Sequence, residues 1–326
     1  MVEGVKTEGV FGRSVFRMEG CDQWGTTGIG PWAGSILDYI NDLDEGIKRH
    51  ILKFADDTKL FGKASNTREC EQLQEDLNRL HKWSEDWQMK FNVDKCKIMH
   101  IGKTNIRQNY SLNNQVLGAI DEEKDLGVII TANLKPSRQC LEAYKKDILI
   151  LGVIYRTIKF RNRKILVCLY KTLVRPLLEY ITPAWSPHYV KDRMLLERAQ
   201  HRFTRMIPGM RKWDYLERLQ KLGLWSLEER RNRADLIETF KILKGFTATD
   251  PLTLFEYSTV KRTRGHSLKL AKHSCSTDIR KYFFAERVIS NWNSLSQRCI
   301  DCVTINEFKN QLMLTRAARK GLFTDT

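Results

Sequence analysis

The chain has 326 residues, 42% of them apolar and 29% charged. That is long enough for two or three domains and too apolar for a disordered chain. The net charge of +16 is one-sided: residues 1–150 hold 21 Lys and Arg against 23 Asp and Glu, and residues 151–326 hold 34 against 16. An asymmetry of this kind points to a polyanion partner for the second half; the other reading is a solubilising surface. No run approaches the ~18 apolar residues of a membrane span. The first twenty residues carry Glu3, Lys6, Glu8, Arg13, Arg17 and Glu19 with no apolar core between them. They do not read as a signal peptide, so the expected compartment is the cytoplasm or nucleus, and no membrane partner is expected.

Residues 1–35 are broken by Gly20, Gly25, Gly28, Gly30, Pro31 and Gly34 and read as a poorly structured segment. Ile51 to Ala55 and Thr58 to Phe61 are two apolar-rich runs separated by Asp56 and Asp57. They predict a β-hairpin with the acidic pair at its tip. Cys70, Leu73, Leu77, Leu80, Trp83 and Trp87 recur at spacings of three and four and predict a helix, with Thr67 as N-cap. Val93 to Ile101 reads as a strand. Val116 to Ile120 and Leu126 to Ile130 read as two more, joined by a turn at Asp121 to Glu123. Hairpin, helix and antiparallel strands make an α+β pattern.

From about residue 138 the period is helical throughout. Ile165, Leu166, Leu169, Leu173 and Leu177 mark a helix bent or ended near Pro176. Leu195, Leu196, Ala199 and Phe203 mark another. Tyr215, Leu216, Leu219 and Leu222 mark a short one stopped by Gly223. Ser226 and Glu229 form a capping box that opens a helix through Leu227, Ala234, Ile237, Phe240 and Leu243, ended by Gly245.

Three groups of residues carry chemistry. Asp56 and Asp57 are adjacent like charges between apolar flanks, an arrangement that a bound Mg²⁺ would relieve; a solvated acidic turn is the other reading. Arg156, Lys159, Arg161, Arg163 and Lys164 are five basic residues in nine with no acid among them. They are candidate phosphate contacts. Tyr155 and Phe160 are interleaved, able to stack on bases, though core packing is the expected use of Phe160. The eight cysteines fit a reduced chain better than a disulfide framework. Cys299 and Cys302 form a C-x-x-C with His266, His273 and Cys275 upstream, read as either a zinc site or two helix or loop cysteines.

Phe54-Ala55-Asp56-Asp57 resembles the F/Y-x-D-D motif of reverse transcriptases. Its surroundings resemble the jockey-like, non-long-terminal-repeat (LINE-type) retrotransposons: Tyr39 to Leu43 resembles Y-I-N-D-L, and Phe54 to Gly62 resembles F-A-D-D-T-K-L-F-G. Leu80 to Trp87, then Asn92 and Lys95, resemble L-x-x-W-x-x-x-W followed by N-x-x-K, and Asp125 to Val128 resembles D-L-G-V. Farther on, Tyr170 to Tyr180, Pro183 to Pro187, Leu195 to Arg205, Leu222 to Arg230, Arg264 to Ser267 and Arg287 to Leu295 continue the likeness. It covers roughly residues 36–312.

The resemblance implies an RNA-directed DNA polymerase using two-metal nucleotidyl transfer on an RNA template and a DNA primer. It implies a partial palm over residues 36–135 and a basic, helical thumb and C-terminal region over residues 136–326. Asp56 would be a Mg²⁺-binding carboxylate, Asp57 its support, and Lys95 would sit near the incoming triphosphate. The family's other metal carboxylate has no counterpart in a similar context here: Asp22 lies in a Gly-rich stretch, and Asp38 stands where an apolar residue is usual. The P-Q-G-S-type segment corresponds to Gly28 to Ser35, which has no glutamine. The expectation is an N-terminally truncated fragment, inactive alone. The alternatives are a nucleic-acid-binding remnant that uses the basic helical half, and an interaction protein that uses helix faces between residues 140 and 245.

Overall fold

The computed structural model describes the backbone of residues 10–14 and residues 41–54, 57–259, 265–318, 321, 323 and 324. The chain divides into two compact units, Met1–Leu134 and Lys135–Thr326. It is of mixed α+β class.

The N-terminal unit is built on a three-stranded antiparallel sheet of β1 (Val10–Ser14), β3 (Asp57–Gly62) and β2 (His50–Phe54), in that order. The β2–β3 register pairs Ile51 with Leu60, Lys53 with Thr58 and Phe54 with Asp57. Thr58 and Leu60 are buried, so this face of the hairpin packs on the core. That burial sets the register. The connection is therefore residues 55 and 56, which lie outside the described residues, and not the expected pair Asp56 and Asp57. Asp57 opens β3 instead.

Helix α1 (Thr67–Asp86) covers the sheet with Cys70, Leu73, Leu77 and Leu80. Its N-cap is Asn66, whose side chain accepts from Glu69 N–H at 2.9 Å, one residue before the expected Thr67. Asp76 falls on the same buried stripe and is fully buried. It accepts from the Lys48 N–H (3.1 Å), the Arg49 N–H (3.0 Å) and Arg79 Nη1 (2.8 Å). This one carboxylate ties α1 to the chain that enters β2.

The strand expected over residues 93–101 is mostly absent. Asn92 caps a 3₁₀ turn, Val93–Lys95, and only β4 (Lys97–Ile98) follows, paired in parallel with β7 (Gly118–Ala119). The run 116–120 is likewise split. β5 (Ser111–Leu112) and β6 (Gln115–Val116) form a hairpin around Asn113 and Asn114, both at positive φ. The acidic run is not a turn either. β8 (Glu122–Asp125) pairs with β9 (Val128–Thr131), and the turn is Leu126 and Gly127, with φ of 44° and 86°. Two positive φ values in a two-residue loop match the right-handed twist of the flanking strands.

The C-terminal unit is mainly helical. Its first core joins α2 (Ser137–Thr157), α3 (Arg163–Leu169), α6 (Val190–Met206) and α7 (Tyr215–Leu222), and the short helices α4 (Arg175–Glu179) and α5 (Thr182–Trp185) follow α3 in the chain. Between α3 and α4 runs a π-helical turn, Tyr170–Val174. Pro176 lacks an N–H and crowds the carbonyl four residues back, which explains this widening. The buried face is Leu166, Tyr170, Val174 and Leu178; Ile165 and Leu173 of the expected stripe are exposed. Gly223 ends α7 in the left-handed conformation, and the Ser226–Glu229 capping box opens α8 (Leu227–Leu243) with both reciprocal bonds formed.

A second core collects Phe240, Trp292 and Phe308 from α8, α12 (Ile289–Asn293) and α14 (Ile305–Ala318). Short helices fill the interval: α9 (Pro251–Leu254), α10 (Asp278–Lys281), α11 (Phe284–Arg287) and α13 (Gln297–Ile300). An isolated bridge joins Tyr257 to Leu270, so the region is not wholly helical.

Candidate nucleic-acid interface and acidic hairpin

Alternation along β3 puts Asp57 on the sheet face opposite buried Thr58 and Leu60. On that face, Leu52 and Phe54 are exposed. Lys59, two residues along, forms an ion pair with Asp125 at the end of β8. Trp83 Nε1 donates to Asp42 Oδ1 at 3.0 Å. Segments that carry the resemblance, far apart in sequence, are thus joined in space. Lys95 is exposed at the end of the 3₁₀ turn. Asp56 lies outside the described residues. Among the described residues no group of three or more His, Cys, Asp or Glu side chains could hold a metal ion. Asp57 and its described surroundings do not by themselves make the two-metal site that the resemblance implies.

The zinc reading of the C-x-x-C finds other partners for its residues. Cys299 and Cys302 are buried in the second core, with Cys299 Sγ 3.4 Å from Ser296 Oγ and 3.5 Å from Thr315 Oγ1. His266 Nε2 lies 2.9 Å from the Trp292 carbonyl oxygen. His273 reaches Glu256 and Glu286 at 3.0 and 3.2 Å, and these carboxylates hold its imidazole above the ordinary pKa.

The basic stretch occupies the end of α2, a short loop and the start of α3. Arg156, Lys159, Arg163 and Lys164 are exposed. Arg161 is half-buried, with its guanidinium 4.0 Å from the centroid of the Tyr155 ring. Phe160 is 76% exposed, which corrects the expectation that it packs in the core. The loop is too short and its neighbours too polar to fold the ring back. An exposed aromatic flanked by cations has the composition of a base-stacking platform.

Arginines missed in the sequence line a groove of about 580 Å³ beside this loop: Arg198, Arg202 and Arg205 of α6, and Arg211. Tyr155, Arg161 and His201 line it too. The spacing 198, 202, 205 was legible as one helix face. What the sequence does not show is that other arginines nearby in the chain are used internally. Arg230 pairs with Glu179 and Arg287 with Asp235, the latter at 2.8 and 2.9 Å; Arg316 pairs with Glu229 at 2.7 and 2.8 Å. These forks hold the helices together and are not available to a ligand.

Beneath the groove lies a buried polar network. Tyr170 donates to Gln200 Oε1 at 2.6 Å, Gln200 Nε2 donates to the Tyr215 hydroxyl at 2.9 Å, and Tyr215 donates to Glu197. Burial raises the Glu197 carboxyl above its ordinary pKa. Asp147 of α2 is fully buried, and neither carboxylate oxygen has a hydrogen-bond partner among the described residues. Burial pushes its pKa up to about 8.

No protein-family model matches the chain, and no solved structure matches it. The chain is 27% identical over 166 residues to the RNA-directed DNA polymerase from mobile element jockey of Drosophila melanogaster. The match spans 47% of this chain and 18% of that protein. On this similarity, the chain is a distant relative of a retrotransposon reverse transcriptase.

Proposed function

We propose that this chain is part of a retrotransposon reverse transcriptase whose residues 136–326 hold nucleic acid, and that it does not polymerise DNA alone. In this reading residues 36–135 correspond to part of a polymerase palm and residues 136–326 to a thumb and C-terminal region. The observation that carries the binding role is the exposed basic loop, with Phe160 bare between Lys159 and Arg161. The ligands that fit are RNA template and DNA primer, held mainly through phosphates and therefore with little sequence preference. Mg²⁺ would fall to Asp56 and Asp57, with Lys95 near the triphosphate. Two-metal transfer needs carboxylates that converge from different strands, and the family's other metal carboxylate has no counterpart in a similar context in this sequence. Loss of positioning by 1 Å already costs ~100-fold in rate.

Two measurements test this. Purified protein on a primed RNA template with Mg²⁺ or Mn²⁺ is expected to give no extension; extension that disappears in Asp56→Asn overturns the inactive reading. Replacing Arg156, Lys159, Arg161, Arg163 and Lys164 by Gln is expected to weaken RNA binding and to flatten its log–log salt dependence by about 3.5. Unchanged affinity and slope remove the loop from the interface.

A further inference from the structure

The groove on α6 differs from the loop in how its charges are arranged. Arg198, Arg202 and Arg205 stand on one face over about 10 Å of helix axis. Arg161 and Arg211 converge on the same concavity from either side. No carboxylate lines it, and among the described residues none of these five guanidiniums bonds to one. By contrast, Arg230, Arg287 and Arg316 of the same unit each pair with a carboxylate.

His201 adds no charge to the groove. Its imidazole is held below the ordinary pKa, first by burial and then by Arg218 and Arg205, with Asp214 opposing. It stacks on Tyr215 with ring centroids 3.5 Å apart. Converging like charges without counter-charges repel, and a bound polyanion relieves the repulsion. Arg198, Arg202 and Arg205 lie about 6 and 4.5 Å apart along the helix axis, so each can face a separate phosphate.

We propose that this groove seats the backbone of a single nucleic-acid strand, with successive phosphates on Arg198, Arg202 and Arg205 and an unpaired base on Phe160. Single-strandedness follows from the lip. Phe160 is 76% exposed and adjoins Arg161, which lines the groove and lies over Tyr155, itself 49% exposed. Bases stacked in a duplex have no free face to offer such a ring. The proposal rests on the nucleic-acid reading above; it adds the form of the ligand and a surface outside the loop.

The experiment uses the full chain and fluorescence anisotropy over a salt series, with uridine and deoxythymidine oligonucleotides and a duplex of equal length. Single strands of either sugar are expected to bind more tightly than the duplex. The triple change Arg198→Gln, Arg202→Gln and Arg205→Gln is expected to reduce the log–log salt slope by about 2, and the Lys triple to keep most of it. Phe160→Ala is expected to weaken single-strand binding roughly 5- to 150-fold without changing the slope. A Gln triple that melts like the parent and binds with the parent's affinity and slope overturns the groove. If Arg156→Gln, Lys159→Gln, Arg163→Gln and Lys164→Gln together still weaken binding, the broader reading survives that result. Absence of any salt-dependent binding by the parent chain overturns both. If the Gln triple fails to fold, a Phe160→Ala protein that binds single strands with the parent's affinity overturns the proposal.

Discussion

The two units use charge in opposite ways. Met1–Leu134 holds 17 Lys and Arg against 21 Asp and Glu, and Lys135–Thr326 holds 38 against 18. In the first, a single buried acid, Asp76, takes two backbone N–H groups and one guanidinium and so joins helix to sheet. In the second, cohesion comes from arginine forks between helices, while Arg198, Arg202 and Arg205, which pair with no acid among the described residues, share one face of α6. The comparison teaches that a net charge overstates a binding surface. Arg230, Arg287 and Arg316 count toward the excess and yet are committed to the fold.

The sharpest break between the units should appear with pH. Asp147 keeps its proton in the folded chain up to about pH 8, whereas the unfolded chain releases it near pH 3.9. The unfolded state therefore binds fewer protons between these values, and stability falls as pH rises across that window. The loss accumulates to about 6 kcal/mol at ~1.4 kcal/mol per pH unit. Hydrogen exchange resolved along the chain should show this decline in the C-terminal unit and its removal in Asp147→Asn. A slope that survives the substitution assigns the effect to another group.

The reverse experiment concerns the N-terminal unit. Asp76→Ala leaves the Lys48 and Arg49 amides and the Arg79 guanidinium without their acceptor, at a cost of about 3 kcal/mol. Exchange should accelerate in α1 and β2 and stay unchanged in the C-terminal unit. Equal acceleration in both would show that the units do not unfold separately. The smallest effect is expected at the β8–β9 turn. Leu126 sits at φ 44°, which a branched aliphatic side chain tolerates poorly. Leu126→Asn should raise the stability of the hairpin by up to about 1 kcal/mol, read as slower exchange of the β8 and β9 amides. A loss of stability instead would mean that the leucine side chain contributes packing that outweighs its backbone strain.

Much of the local structure was legible in the sequence. The stripe Cys70, Leu73, Leu77, Leu80 forms the core face of α1, Gly223 stops α7, and Ser226 with Glu229 caps α8. These signals act over one or two turns, so neighbouring residues suffice to read them. The F-A-D-D hairpin was legible as a hairpin but one residue out of register, because strand register depends on which face a distant helix covers. The same limit moved the turn from Asp121–Glu123 to Leu126–Gly127, and led to Phe160 being read as a core residue when it is exposed.

By itself, then, the sequence determined the helical periods and their caps, the division of charge between the halves, and the ordered motifs that resemble a reverse transcriptase. The tertiary structure alone decided which charges are committed. The Arg230–Glu179, Arg287–Asp235 and Arg316–Glu229 pairs span 51, 52 and 87 residues. No local rule selects such partners, since they meet only when packing brings their helices together. The arginines left over, on α6 and beside Phe160, are identifiable only after that packing has taken its share.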